Sequence, residues 1–141
     1  MPEVDYQHVL PYLPPEDGEG GSFPGLWVEV EPIGSTGASI GVQAHIDTGA
    51  EYSVFNGFIA QSIELDLLAG EPVSLVPISG QGLAARFHLV RISHDILGPF
   101  ELKVAFSLGE IQRNLLGRDF LNLIQIGFRE RHIQMYITPL P

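Results

Sequence analysis

The 141-residue chain is long enough for one domain with a real core and too short for two. Its residues are 45% hydrophobic and 17% charged, with 16 Gly and 11 Pro, a mix that suits a turn-rich β protein and excludes a wholly disordered one. A net charge of −10 with seven scattered Lys and Arg gives no support to a nucleic-acid partner, and the lack of cysteine excludes disulfides, thiolate metal sites and cysteine catalysis. No stretch approaches the roughly 18 consecutive apolar residues of a membrane span, and the N-terminus carries no basic-then-apolar leader, so the expectation is a cytoplasmic protein without a membrane partner.

Residues 1–25 combine several prolines with an acidic, glycine-rich run over 16–21, and read as a flexible N-terminal segment ahead of a domain over 26–141. Leu26–Val30 alternates as a strand, and Gly34–Gly37 turns it into a longer one. There Ala38, Ile40, Val42, Ala44 and Ile46 share one parity, while Ser39, Gly41, Gln43, His45 and Asp47 share the other. The strand delivers a carboxylate just as it ends, at a polar turn, which is a rigid way to present a reactive side chain. Tyr52–Phe55 follows as a short strand, and Asn56 is placed to cap a helix over 57–65 with Phe58, Ile59, Ile63 and Leu65 as its apolar stripe.

Residues 71–77 and 83–92 read as two strands around a Gly80/Gly82 tip, hence a hairpin. Phe100–Ser107 alternates cleanly, Leu115–Leu116 is a short buried strand, and residues 118–123 form a last helix. A final hairpin joins Ile124–Phe128 to Ile133–Ile137 around Arg129–His132. Many strands, short turns and little helix predict an all-β fold with a small closed barrel.

Two stretches carry the chemistry. His45-Ile46-Asp47-Thr48-Gly49-Ala50 ends the long strand, and Leu115-Leu116-Gly117-Arg118-Asp119 comes some seventy residues later. Ser53 lies six residues after Asp47, and the glycine-rich Ser79-Gly80-Gln81-Gly82 lies between two strand patterns. Together these resemble the retropepsin-like aspartic peptidases, the single-domain relatives of pepsin, over roughly residues 26–137. The resemblance implies a closed acid-protease barrel with a flap hairpin and one or two short helices, and an endopeptidase of peptide or protein substrates that needs no cofactor. Two carboxyl groups about 3 Å apart can share one proton, activating water on one side and protonating the peptide carbonyl on the other. This chain has a single Asp-Thr-Gly, and Asp5, Asp17, Asp66, Asp95 and Asp119 lack its context. The second Asp47 must then come from another copy, so a homodimer is implied.

The resemblance also assigns roles. Thr48 would bond the partner's loop, Gly49 would admit substrate backbone, and Ala50 with Ser79, Gly80, Gln81 and Gly82 would contact substrate. Leu116 and Gly117 would support the loop, and Arg118 would pair with Glu51 to brace it. His45 and Asp47 share a strand face, but no third ligand has metal-site spacing, so no metal is called for. The C-terminal hairpin, with an apolar face and an open edge, is expected to find its cover in the hairpin of a second copy. Two alternatives stand beside the peptidase: a catalytically silent peptide-binding module on the same fold, and a structural dimerisation domain.

Overall fold

The computed structural model describes residues 5–15, 20–34, 38–76 and 80–140. Its strands, in chain order, are β1 (His8–Pro11), β2 (Gly25–Pro32), β3 (Ile40–Ile46), β4 (Val54–Asn56), β5 (Glu71–Leu75), β6 (Leu83–His94), β7 (Gly98–Ser107), β8 (Asn114–Leu116), β9 (Ile124–Arg129) and β10 (Gln134–Pro139). The helices are α1 (Gly57–Ser62) and α2 (Arg118–Leu121). No helix among the described residues is long and apolar enough to cross a membrane.

Seven strands pair in the order β2-β3-β8-β4-β7-β6-β5, and β2 pairs again with β6. That second pairing closes the first six into a barrel and leaves β5 outside on β6. Closure removes the exposed edges that an open sheet would present. The alternation read from the sequence becomes the wall of this barrel: Val28, Val30, Val42, Ala44, Val90, Ile92 and Val104 turn inward and are buried. Phe55, Phe106, Phe120 and Leu116 fill the same core. β3 and β8 run parallel, β8 and β4 antiparallel, and β4 and β7 parallel. The result is that two short strands, each flanked by a loop, lie side by side in the middle of the wall.

The C-terminal hairpin differs from expectation. Ile124, Met135 and Ile137 are buried in the monomer's own core, and β1 pairs with β10 from His8↔Ile137 to Pro11↔Gln134. The face is therefore covered by the barrel and one edge by the chain's own N-terminal strand, without a second copy. Ile133 does not join the apolar face: it takes a left-handed φ of 48° at the turn and stands exposed, as does Phe128.

Part of the segment expected to precede the domain is likewise strand and core. Beyond β1, Tyr12 is buried and its hydroxyl donates to Glu130 Oε2 at 2.7 Å, while Leu13 and Phe23 exchange two backbone hydrogen bonds of 2.9 Å. The linker expected over 14–22 falls partly outside the described residues.

α1 is also shorter than its pattern suggested, because Glu64 adopts a positive φ of 63° and the chain turns. Asn56 makes no side-chain cap. Its Oδ1 accepts from Ile111 N–H and its Nδ2 donates to Asn114 Oδ1, so it ties β4 to the approach to β8. Phe58, assigned to the apolar stripe, is exposed.

Candidate active site

Asp47 follows the last residue of β3, and its N–H donates to Leu116 O at 2.9 Å, so the extended pairing with β8 continues to the carboxylate-bearing residue. The turn after it is local. Gly49 N–H donates to Asp47 Oδ1 at 2.9 Å and Ala50 N–H to Asp47 O at 3.2 Å. Asp47 and Ala50 are half-buried, while Thr48 and Gly49 stand at the exposed tip.

Under the tip, the chain after β8 passes against the returning loop. A Cβ on Gly117 would sit 2.6 Å from Tyr52 O and 2.8 Å from Ala50 O, both backbone atoms that cannot move aside, so only glycine fits. Arg118 N–H donates to Ala50 O at 2.8 Å and Asp119 N–H to Glu51 O at 3.3 Å. Leu116 is fully buried below.

The expected Arg118–Glu51 ion pair does not form. Both side chains are exposed, and the ion pairs among the described residues join other groups. Backbone bonds hold the two segments together, and both charged ends stand in solvent. The brace is Asp119 instead. Its carboxylate accepts from Ser53 Oγ at 2.8 Å, Ser53 N–H at 3.0 Å and Phe120 N–H at 2.8 Å, and Ser53 Oγ in turn accepts from Gly117 N–H at 3.1 Å. Ser53 is fully buried, so these charge-assisted bonds fasten the Asp47 loop to the start of α2 from inside. Ser53 and Asp119 both stand in the sequence motifs, but their pairing across the fold has no mark in the local pattern.

The β5–β6 hairpin stands at the free end of the sheet. Gly80, Gln81 and Gly82 are exposed, Gly80 has a φ of 84°, and Ser79 lies outside the described residues. Val73, Leu75, Leu83 and Phe87 pack on a small second core of Val54, Ala85 and Ala105. Tyr52 meets Phe87 edge-on at 5.2 Å, so the base of the hairpin and the Asp47 loop touch through one aromatic pair.

His45 completes the surroundings. Its ring stacks flat on Phe23 at 3.6 Å and 8°. Burial, helped by the positive charge of Arg113, lowers its pKa from the ordinary value and favours the neutral imidazole.

No protein-family model matches the sequence, and no curated protein matches it. Solved structures do. The EIAV protease in complex with the inhibitor HBY-793 aligns with a TM-score of 0.54 at 17% identity, over 72% of this chain and 86% of that one. A retropepsin-like aspartic protease from Rickettsia conorii aligns with a TM-score of 0.59 at 19% identity, over 96% of this chain and 100% of that one. The fold is retropepsin-like. Within this retropepsin-like barrel, Asp47 lies on the loop after β3, and the pairing of β3 with β8 sets it beside Gly117.

Proposed function

We propose that the chain is an aspartic endopeptidase active as a homodimer, with one Asp47 contributed by each subunit. The observation that carries this reading is the state of the carboxylates around the loop. Asp47 is held on a rigid, internally braced turn and, among the described residues, its side chain is engaged by the adjacent Gly49 N–H alone, whereas Asp119 is consumed by three hydrogen bonds. One chain thus offers a single Asp-Thr-Gly carboxylate to substrate, and a two-fold axis beside the Thr48–Gly49 tip supplies the second.

In the dimer, two carboxylates held close cannot both ionise, and one proton is shared between them. The ionised member takes a proton from water as that water attacks the peptide carbon, while the protonated member gives its proton to the carbonyl oxygen. On collapse of the tetrahedral intermediate, the carboxyl that took the proton from water gives it to the leaving nitrogen, and the other carboxylate takes back a hydroxyl proton, which restores the shared-proton pair. Thr48 serves the contact between the two loops, and Gly49 leaves room for substrate backbone. Ala50 lies beside the bound peptide, and Gly80, Gln81 and Gly82 form the tip that covers it.

Asp47→Asn keeps the shape and removes the shared proton. Peptide-library hydrolysis by the full chain across pH should disappear in this variant while its thermal melting is retained. Equal turnover by Asp47→Asn would refute chemistry at Asp47, and no turnover by the unmodified chain at any pH would favour the silent binding module.

A further inference from the structure

A second concave surface, with no residue of the Asp47 loop in its lining, lies on the outer side of the loop that joins β7 to β8. Leu108 and Glu110 of that loop, Phe58 of α1 and Leu67 line a groove of about 290 Å³. Phe58 and Leu108 are large apolar side chains left exposed there. A Cβ on Gly57 would run into the backbone oxygen of Ser107, so glycine lets the start of α1 sit directly on the end of β7. Leu108 N–H donates to Ala84 O at 2.9 Å, which fixes the loop to β6.

The charge around this groove is of one sign. Among the described residues, Glu110 is the one charged side chain in its lining. Glu64 and Asp66 stand exposed where the chain passes from α1 to Leu67. Arg86 Nη1 donates to Leu68 O at 2.9 Å and to Gly70 O at 3.2 Å, so that guanidinium is held by backbone carbonyls. Apolar side chains rimmed by acids, in a chain of net charge −10, suit a partner that is both apolar and cationic. The same acids repel nucleic acid and anionic membranes.

The inner side of the same loop faces the hairpin. Ile111 packs on Val54, Ala85 and Ala105, the small core at the base of β5 and β6, and its N–H donates to Asn56 Oδ1 at 2.9 Å. One loop therefore separates the groove from the space beneath the hairpin. The chain then runs from Glu110 to Leu116, whose carbonyl holds Asp47 N–H. That stretch spans at most about 20 Å, so an extended peptide of about six residues reaches from Asp47 to the groove.

Resting on the peptidase reading, we propose that this groove is a docking site for a remote segment of the substrate, about six residues from the cleaved bond, that joins an apolar side chain to an Arg or Lys. The apolar side chain buries against Phe58, Leu67 and Leu108, and the cation pairs with Glu110 at the rim. Binding there tethers the peptide, so that its other end meets Asp47 at a raised effective concentration.

The test uses the full chain and reporter peptides that share one cleavable core taken from the library. One reporter is extended by about six residues ending in Leu-Arg, one by the same spacer ending in Leu-Glu, with each extension placed on either side of the core. The Leu-Arg reporter should be cleaved with about tenfold higher kcat/KM on one side, through a lower KM. Glu110→Gln and Phe58→Ser should each bring that ratio close to one, whereas Glu29→Gln, which removes an exposed acid on β2, should preserve it. If Phe58→Ser does not fold, Leu108→Ser replaces it and must show the same loss. A ratio near one in the unmodified chain, or equal losses from Glu110→Gln and Glu29→Gln, overturns the docking site and leaves the peptidase intact. A change of sedimentation in Glu110→Gln without a change in the ratio gives the groove to a second copy and likewise overturns it. No cleavage of any reporter by the unmodified chain at any pH or concentration brings down the peptidase reading, and the docking site with it.

Discussion

Replacing Asp119 with alanine isolates the brace under the Asp47 loop. The carboxylate accepts three hydrogen bonds, two of them from Ser53, whose side chain is fully buried. Its removal leaves the Ser53 N–H and hydroxyl without that partner in a site closed by Gly117 and Tyr52. At about 1.5–2 kcal/mol for each of the two bonds from buried Ser53 to the charged acceptor, the loss should be about 3–4 kcal/mol. For a domain of this length, near 3 °C per kcal/mol, the midpoint should fall by about 10 °C. Ser53→Ala should cost about 2 kcal/mol, since it orphans the Gly117 N–H and removes one bond to Asp119. The double variant should fall short of the sum by about 1 kcal/mol or more, because each single change has already broken the shared bond. Calorimetric or denaturant melts of the four proteins complete the cycle. Strictly additive effects, each below about 0.5 kcal/mol, would mean that the loop is not held through this carboxylate.

Gly117→Ala drives a methyl into two backbone carbonyls and should destabilise by about 3 kcal/mol while reducing activity more than proportionately, measured by melting and turnover together. Met135→Glu places a charge in the core and should unfold the monomer, whereas Ile133→Glu, at an exposed turn, should change stability by less than about 0.5 kcal/mol; circular dichroism separates the two. His94 carries a pH dependence of defined sign. Burial lowers its pKa from 6.5 against the opposing pull of Asp95, and its Nδ1 accepts two backbone N–H bonds. The folded form therefore holds the proton more weakly than the unfolded chain. This stabilisation is complete above about pH 6.5 and is lost as pH falls through the folded-state pKa. The melting temperature should decline on the acid side of 6.5, and less so in His94→Asn, which keeps a short acceptor near the same place.

The parts of the fold that local pattern dictates were readable. Strict alternation from Ala38 to Asp47 marks β3 and its end, and the resemblance of Asp47-Thr48-Gly49 and Leu116-Gly117 to the retropepsin-like motifs implies that Gly117 supports the Asp47 loop. What escaped depends on distant partners. The pairing of His8–Pro11 with β10, and the closing of β2 on β6, have no local signature, since either strand would satisfy many edges equally well. The Arg118–Glu51 pair was inferred from charge placement in similar proteins. The chain instead meets the need with Asp119, whose neighbours are visible only once β8 lies beside the loop. α1 ends early because a positive φ at Glu64 overrides a stripe that would have carried it further, and Phe58 is left outside.

The union of β1 with β10 has a consequence for how the molecule is made. A ribosome releases His8–Pro11 long before it has synthesised Gln134–Pro139, so the first strand must wait for the last. During that interval the backbone bonds between Leu13 and Phe23 have no finished sheet behind them, and the phenyl ring cannot yet be firmly set on His45. The barrel can form its local hairpins as they emerge, but the surroundings of Asp47 mature only when the two ends meet. A nascent or C-terminally clipped chain would therefore carry the whole Asp47-Thr48-Gly49 loop in an unfinished setting, a delay written into the topology itself.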